Sequence, residues 1–252
     1  MRALLCVLLV SLAGCATVPP NAGSNPADPY ERINRHVFAF NDGFDRHLAQ
    51  PVARGYVWLV PTPVRNCVGN FFANLGEVGN FINAGFQAQV SDAATDAGRF
   101  AVNSTVGILG CFDVARRFGW ERNRQDFGLT LGKWGLEPGP YVVLPFFGSR
   151  SVRDAVGEIP DYFTDPLGYL KPPRSYYALY GTRFVDRRSQ FLDTSGLVDD
   201  AALDPYVFVR DAYLQRRRSI VHEGEAPPPA LDDDPDSPPA VKPASTVPGG
   251  GK

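Results

Sequence analysis

The chain has 252 residues, 44% hydrophobic and 21% charged, with a formal net charge of -2 at pH 7. That balance offers no electrostatic footprint for a polyanion, so nucleic acid is excluded as a partner, while the apolar fraction suffices for one sizeable core.

The N-terminus carries an address. Arg2 is followed by the apolar run from Ala3 to Leu12 and then by Leu12-Ala13-Gly14-Cys15. A positive start, a short apolar segment and small residues describe a secretory signal, and the run is too short to remain as a membrane span. No later segment is long and apolar enough to be one. Leu-Ala-Gly-Cys resembles the bacterial lipobox, which implies that residues 1–14 are removed and that Cys15 becomes the acylated first residue. Multiple acyl chains are sufficient for stable anchoring. Ala16, where an aspartate would retain such a protein at the inner membrane, implies by the same resemblance delivery to the outer membrane. Of the four cysteines, Cys67 and Cys111 then remain in an oxidising compartment, where they either pair or stay as two separate buried thiols; spacing leaves both open.

Residues 15–27 read as a Pro/Asn/Gly/Ser tether. Asp28-Pro29-Tyr30-Glu31 offers a helix cap, and Ile33, Val37, Phe40, Phe44 and Leu48 follow at helical spacing until Pro51, which should stop the helix. Thr62-Pro63 opens the clearest amphipathic helix, with Val64, Cys67, Val68, Phe71, Phe72 and Leu75 on one face. Val78, Phe81, Ile82 and Phe86 continue the pattern after Gly76, which predicts a helical hairpin or a kinked helix. Phe127 to Gly148 is too rich in glycine and proline for one regular element, and reads as a bent apolar hairpin that something must cover. Trp134, Tyr141, Phe146 and Phe147 in it suit a boundary between apolar and wet surroundings, and with Phe72 they are candidate membrane-facing aromatics. Ser149 is placed to cap a helix starting at Arg150, Ser175 precedes another, and Asp204-Pro205 opens the last. No alternating strand pairs are visible, so the body over residues 28–222 reads as mainly α. From Glu223 to 252 the sequence is acidic, Pro-rich and expected to be disordered.

Chemistry is sparse. His36, His47 and His222 have no metal-ligand spacing, no cysteine has a CxxC partner, and no nucleophile elbow or phosphate loop occurs. Asp199-Asp200 fits a solvated face better than an acid/base dyad. Neither a catalytic residue nor a metal or cofactor is called.

Five blocks occur in order: Asp28-Pro29-Tyr30-Glu31-Arg32-Ile33-Asn34-Arg35, Asn70 to Leu75, Arg99 to Gly107, Asp126 to Gly132, and Gly139 to Pro145. Together they resemble the MlaA (VacJ) lipoproteins of Gram-negative bacteria. The resemblance implies a ring of helices in the inner leaflet of the outer membrane, facing the periplasm and pierced by an amphipathic channel. It implies a trimeric porin and a soluble periplasmic phospholipid carrier as partners, with phospholipids removed from the outer leaflet as cargo. Cys67, Cys111 and the long tail depart from the family pattern. Within this picture Asn70, Asn74, Asn80, Asn83 and Gln87, interleaved with Phe71, Phe81 and Phe86, are candidate channel residues, although Asn and Gln are more often plain helix surface. Gly132, Gly135 and Gly139 are candidate hinges. An outer-membrane lipoprotein enzyme and a purely structural tether are the competing readings.

Overall fold

A computed structural model describes residues 18–192 and 203–222. Cys15 and the segment before it, Asp199-Asp200 and the acidic tail lie outside the described residues. The described body is mainly helical.

The first long element is α1 (Glu31–Phe44), which passes through one π-turn (Asp45–Ala49) into α2 (Gln50–Leu59). Pro51 therefore does not stop the helix. The wide turn sits just ahead of it and leaves it in the first positions of α2, where a missing N–H is tolerated. Asp28 does not cap α1 either; the helix opens at Glu31 without a side-chain cap, and the Asp28 carboxylate is fully buried. Next, α3 (Thr62–Phe86) runs unbroken through Gly76 for 25 residues, so the helical-hairpin alternative falls. Along it packs α4 (Val90–Thr105), and Cys67 on α3 is bonded to Cys111 in the loop after α4, which decides what spacing left open.

The stretch expected to be one bent hairpin divides in two. Its first part is α5 (Phe127–Lys133), capped by Asp126, whose side chain accepts from the Leu129 amide at 2.8 Å. Its second part begins an antiparallel pair, β1 (Tyr141–Leu144) and β2 (Gly148–Ser151), with Tyr141 opposite Ser151. The strand pairing is not visible in the sequence because each strand is only four residues long and neither Tyr-Val-Val-Leu nor Gly-Ser-Arg-Ser alternates apolar with polar residues. Since residues 148–151 pair with β1, α6 (Val152–Thr164) starts later than expected and is capped by Ser151 instead of Ser149. Then come α7 (Pro173–Ser189), beginning two residues before Ser175, and α8 (Pro205–Val221), capped by Asp204 as anticipated.

Contacts close a circuit: α1 against β1, β1 paired with β2, β2 against α6, α6 against α3, α3 against α7, α7 against α2, and α2 back to α1 through the π-turn. On this circuit α5 packs between α6 and α8, and α8 also rests on β2. The approach of α5 to α6 needs bare backbone. A Cβ on Gly157 of α6 would meet the Gly128 nitrogen at 2.5 Å and its Cα at 2.8 Å.

The interior of this body is polar and much of its exterior is not. The buried apolar cluster is small, namely Val37, Tyr141, Val143 and Tyr206. By contrast, Arg99, Glu77, Asn74, Asn83, Asn103, Asp28 and Asp96 are all fully buried. On α3 the buried line is Asn74, Glu77, Asn80 and Asn83, and α1 buries Glu31, Asn34 and Arg35 while Ile33 and Leu48 are exposed. The helical periodicity is real, but of the apolar stripes only Val37 and Phe72 are buried; Ile33, Leu48, Val64 and Phe86 are exposed and the rest are half-buried.

The α5–α6 crossing generates a direct expectation. Gly157→Ala should force backbone apart and destabilise the protein by about 1–3 kcal/mol. Thermal unfolding of the variant beside Gly55→Ala, whose Cβ would meet nothing within 4 Å, checks this; equal melting temperatures would refute the close crossing.

Candidate functional site

Three charge-bearing networks hold the helices together, and the five sequence blocks contribute Asp28, Asn34, Arg99, Asn103, Asp126, Tyr141 and Val143 to them. In the first, Glu77 of α3 accepts from Arg99 Nε of α4 at 2.9 Å, Arg122 Nε at 2.8 Å and Asn80 Nδ2 at 2.9 Å. Arg99 also donates to both oxygens of Asp113 at 3.0 Å and to the Trp120 carbonyl. Burial alone would raise the Asp113 carboxyl, but hydrogen bonds from Arg99 and Asn103 outweigh it and hold the group below its ordinary range.

In the second, Asp28 accepts from Asn34 Nδ2 at 2.8 Å, the Tyr206 hydroxyl at 2.5 Å and Arg210 Nη1 at 3.3 Å. Asn34 also donates to the Tyr141 carbonyl at 3.0 Å and accepts from the Val143 amide at 2.9 Å, which stitches α1 to the open edge of β1. In the third, Arg217 of α8 forks onto Asp126 at 2.6 and 2.9 Å and reaches Asp154 at 2.8 Å, while the Tyr213 hydroxyl donates to Asp154.

Among the described residues, the buried Asp96 and the half-buried Asp161 form no ion pair. Asp96 is pushed up to about 6 by burial and by Glu77, with Asn123 donating to Oδ1 at 3.1 Å and no partner for Oδ2. Asp161 is pushed up to about 6 mainly by burial, although the Phe127 amide and Asn83 Nδ2 donate to it at 2.9 Å.

The candidate channel residues divide. Asn74 is buried and donates to Ser104 Oγ at 2.9 Å, and Asn83 is buried between Asp161 and the Thr130 hydroxyl, so both serve helix–helix joints. Asn70 donates to the Cys111 carbonyl at 3.1 Å and also lines an open polar cavity of about 450 Å³ between α3 and α7. Arg65, Asn66, Arg122, Asp186 and Gln190 share that wall. None of these five was singled out from sequence, since charged residues on amphipathic helices look like a solvated face; only folding α7 against α3 makes them a lining. Phe71 and Phe81 are half-buried, with Phe71 packed edge-on to Phe72 at 5.2 Å. Phe86 is exposed and packs against Phe127 and Trp134 at 6.0 and 6.4 Å.

Of the candidate membrane-facing aromatics, Trp134, Phe146 and Phe147 are exposed. Phe72 and Tyr141 are not: both are buried within the protein, Tyr141 because it stands at the centre of the small apolar cluster, with its hydroxyl on Ser149 at 2.7 Å. The hinge candidates also divide. Gly132 lies inside α5, where a Cβ would meet Arg153 Nη1 at 2.7 Å, so it is a packing glycine and not a hinge. Gly135 and Gly139 do take positive φ, of 91° and 65°, and Gly135 terminates α5 through its amide on the Gly132 carbonyl and the Leu136 amide on the Leu131 carbonyl.

Outside this interior, Val152, Val156, Ile159 and Phe163 form an exposed stripe on α6 at helical spacing, and Trp58 and Leu59 end α2 exposed. Val106, Ile108, Leu109 and Phe112 project from the loop beside the disulfide. Among the described residues no helix is long and apolar enough to cross a membrane, and no group of three His, Cys, Asp or Glu could hold a metal ion.

Two measurements test the interior. Arg99→Leu leaves the buried Glu77 with Arg122 as its one cation and Asp113 with none, and should cost about 3–5 kcal/mol in unfolding free energy, far more than Arg46→Leu at an exposed pair. Asp96 has a folded-state value of about 6 against 3.8 ordinarily, so the native state keeps a proton that the unfolded chain loses. Its contribution is full below pH 3.8 and is lost as pH rises through about 6. Melting temperatures between those limits should fall with rising pH more steeply in the wild type than in Asp96→Asn; parallel curves would contradict the shift.

The family model described as "MlaA lipoprotein" matches residues 26–220. The Escherichia coli K12 protein "Intermembrane phospholipid transport system lipoprotein MlaA" is 36% identical over 223 residues, covering 86% of this chain and 87% of that protein. Its namesake from Haemophilus influenzae is 31% identical, covering 86% and 88% respectively. A solved structure described as "Structural basis for maintenance of bacterial outer membrane lipid asymmetry" superposes with a TM-score of 0.68 at 35% identity, covering 77% of this chain and 98% of that one.

Proposed function

The chain belongs to the MlaA lipoprotein family, and from that premise we propose that it works in intermembrane phospholipid transport, maintaining the lipid asymmetry of a Gram-negative outer membrane. Anchored through acylated Cys15, the ring of helices lies in the inner leaflet, facing the periplasm beside a trimeric porin. It takes phospholipids that have strayed to the outer leaflet and hands them to a soluble periplasmic carrier. It is a conduit and not an enzyme, as the transport names of its relatives also suggest.

The observation that carries this reading is the inverted polarity. Exposed apolar stripes such as Val152, Val156, Ile159 and Phe163 would each lose stabilising burial of roughly 1.5–3 kcal/mol if left in water, whereas hydrocarbon satisfies them. Since no described helix can span a bilayer, immersion in one leaflet fits better than crossing. A head group meeting hydrocarbon alone would lose several kcal/mol for each unsatisfied polar group, and a polar cavity lowers that barrier.

Photo-crosslinking residues placed at Trp58, Leu109, Ile159 and Phe163 in cells should capture lipid or porin, while Cys15→Ala should lose outer-membrane fractionation. Uniform labelling of the four positions by a water-soluble reagent would argue for a soluble body on a tether. Turnover of a substrate by purified protein would favour the enzyme reading.

A further inference from the structure

The open polar cavity of about 450 Å³ between α3 and α7 is lined by charges of both signs that do not pair with one another. Asp186 of α7 is only 3% exposed, yet it forms no ion pair among the described residues. Its Oδ1 accepts from the Tyr56 hydroxyl of α2 at 3.1 Å and its Oδ2 from Gln190 Nε2 at 3.0 Å, which fixes the carboxylate and leaves each oxygen able to accept once more. Arg65, in the first turn of α3, likewise forms no ion pair among the described residues. Its Nη2 donates to Thr62 Oγ1 at 3.0 Å, and its Nε is buried without a partner. Arg122 reaches the cavity from the segment before α5 and engages only Nε, on Glu77 at 2.8 Å; its terminal nitrogens donate to nothing among the described residues. Because Glu77 and Asp113 balance Arg99 and Arg122, the charges left over in the cavity are one guanidinium, Arg65, and one carboxylate, Asp186.

A sealed carboxylate and a buried guanidinium nitrogen without ionic partners are costly, and a ligand that supplies both counter-charges lowers that cost. An anion alone would suit the arginines and be repelled by Asp186, while a cation alone would do the reverse. A zwitterion answers both and leaves the cavity neutral. Guanidinium forks fit phosphate oxygens two at a time. A carboxylate only accepts hydrogen bonds, so Asp186 calls for a cation that carries N–H, and a primary ammonium suits it where a quaternary one does not. Gly69 keeps this corner open: a Cβ there would stand 3.2 Å from Gln190 Nε2 and 3.3 Å from Asp186 Oδ2. Val64 and Phe191, the chain neighbours of Arg65 and Gln190, are exposed, which gives hydrocarbon attached to such a ligand apolar surface at the cavity edge.

The geometry points to a site for a phosphoethanolamine zwitterion, with Arg65 and Arg122 on the phosphodiester and Asp186 on the primary ammonium. This rests on the lipid-conduit reading and adds to it a preference among phospholipid head groups.

The test uses the full-length acylated protein in detergent micelles, with phosphatidylethanolamine, phosphatidylglycerol and phosphatidylcholine carrying the same fluorescent acyl chain as probes. Wild type should retain phosphatidylethanolamine about tenfold more tightly than the other two, and Asp186→Asn should bring the three level. Arg65→Gln should weaken all three alike, with Arg65→Lys recovering part of the loss. Gly69→Ala keeps every charge and crowds Asp186, so it should reduce the preference even if Asp186→Asn melts early; melting temperatures of all variants separate lost recognition from lost folding. Equal retention of the three lipids by wild type, or an unchanged preference in folded Asp186→Asn, would overturn this site and leave the conduit standing. Absence of any phospholipid retention by wild type would overturn both. Competition by soluble glycerophosphoethanolamine as strong as that of the lipid would assign the site to a soluble zwitterion and overturn the head-group assignment.

Discussion

The Glu77–Arg99 pair is the contact on which the other joints depend. Both side chains are sealed from solvent, and a buried ion pair is tolerable only when every remaining donor and acceptor is met. Here they are met by Arg122, Asn80, Asp113 and the Trp120 carbonyl, which draws α3, α4 and the loop after α4 to fixed positions around one carboxylate and one guanidinium. The loop is held a second time by the Cys67–Cys111 bond and by Asn70 on the Cys111 carbonyl. Its exposed apolar residues, Ile108 and Leu109, sit at positive φ of 53° and 55°, a conformation that persists only where the surroundings impose it.

A polar interior of this kind changes what stabilises the molecule. The small apolar cluster around Tyr141 and Tyr206 cannot supply the usual hydrophobic driving force, so directed hydrogen bonds and ion pairs must specify the arrangement. Such contacts are strong only in the geometry they require. Asp45 is held in this way by Arg188, and Asp126 and Asp154 by Arg217.

The hairpin shows how the same grammar attaches a mobile-looking element firmly. Asn34 pairs with the edge of β1 and Asn41 with its end, donating to the Leu144 carbonyl at 3.0 Å and accepting from the Phe146 amide at 2.8 Å. Phe146 then packs edge-on to Phe40 and Phe44 at 5.3 and 5.0 Å. The hairpin tip is thereby tied to α1.

Much of this was legible in the chain itself. The helical class, the last helix with its Asp204 cap and the family blocks are local patterns, and local patterns survive without knowledge of neighbours. The direction in which each helix faces was not legible: a period of 3.6 gives two faces and does not say which meets protein. Asn74, Glu77, Asn80 and Asn83 look like a solvated stripe until α4, α5 and α6 close over them. Phe72 and Tyr141 look like membrane contacts until their neighbours bury them, and Gly132 looks like a hinge until Arg153 fills the space beside it. The cavity wall of Arg65, Asn70, Arg122 and Asp186 depends on pairings across more than a hundred residues, and proximity over such a distance is set by tertiary packing alone.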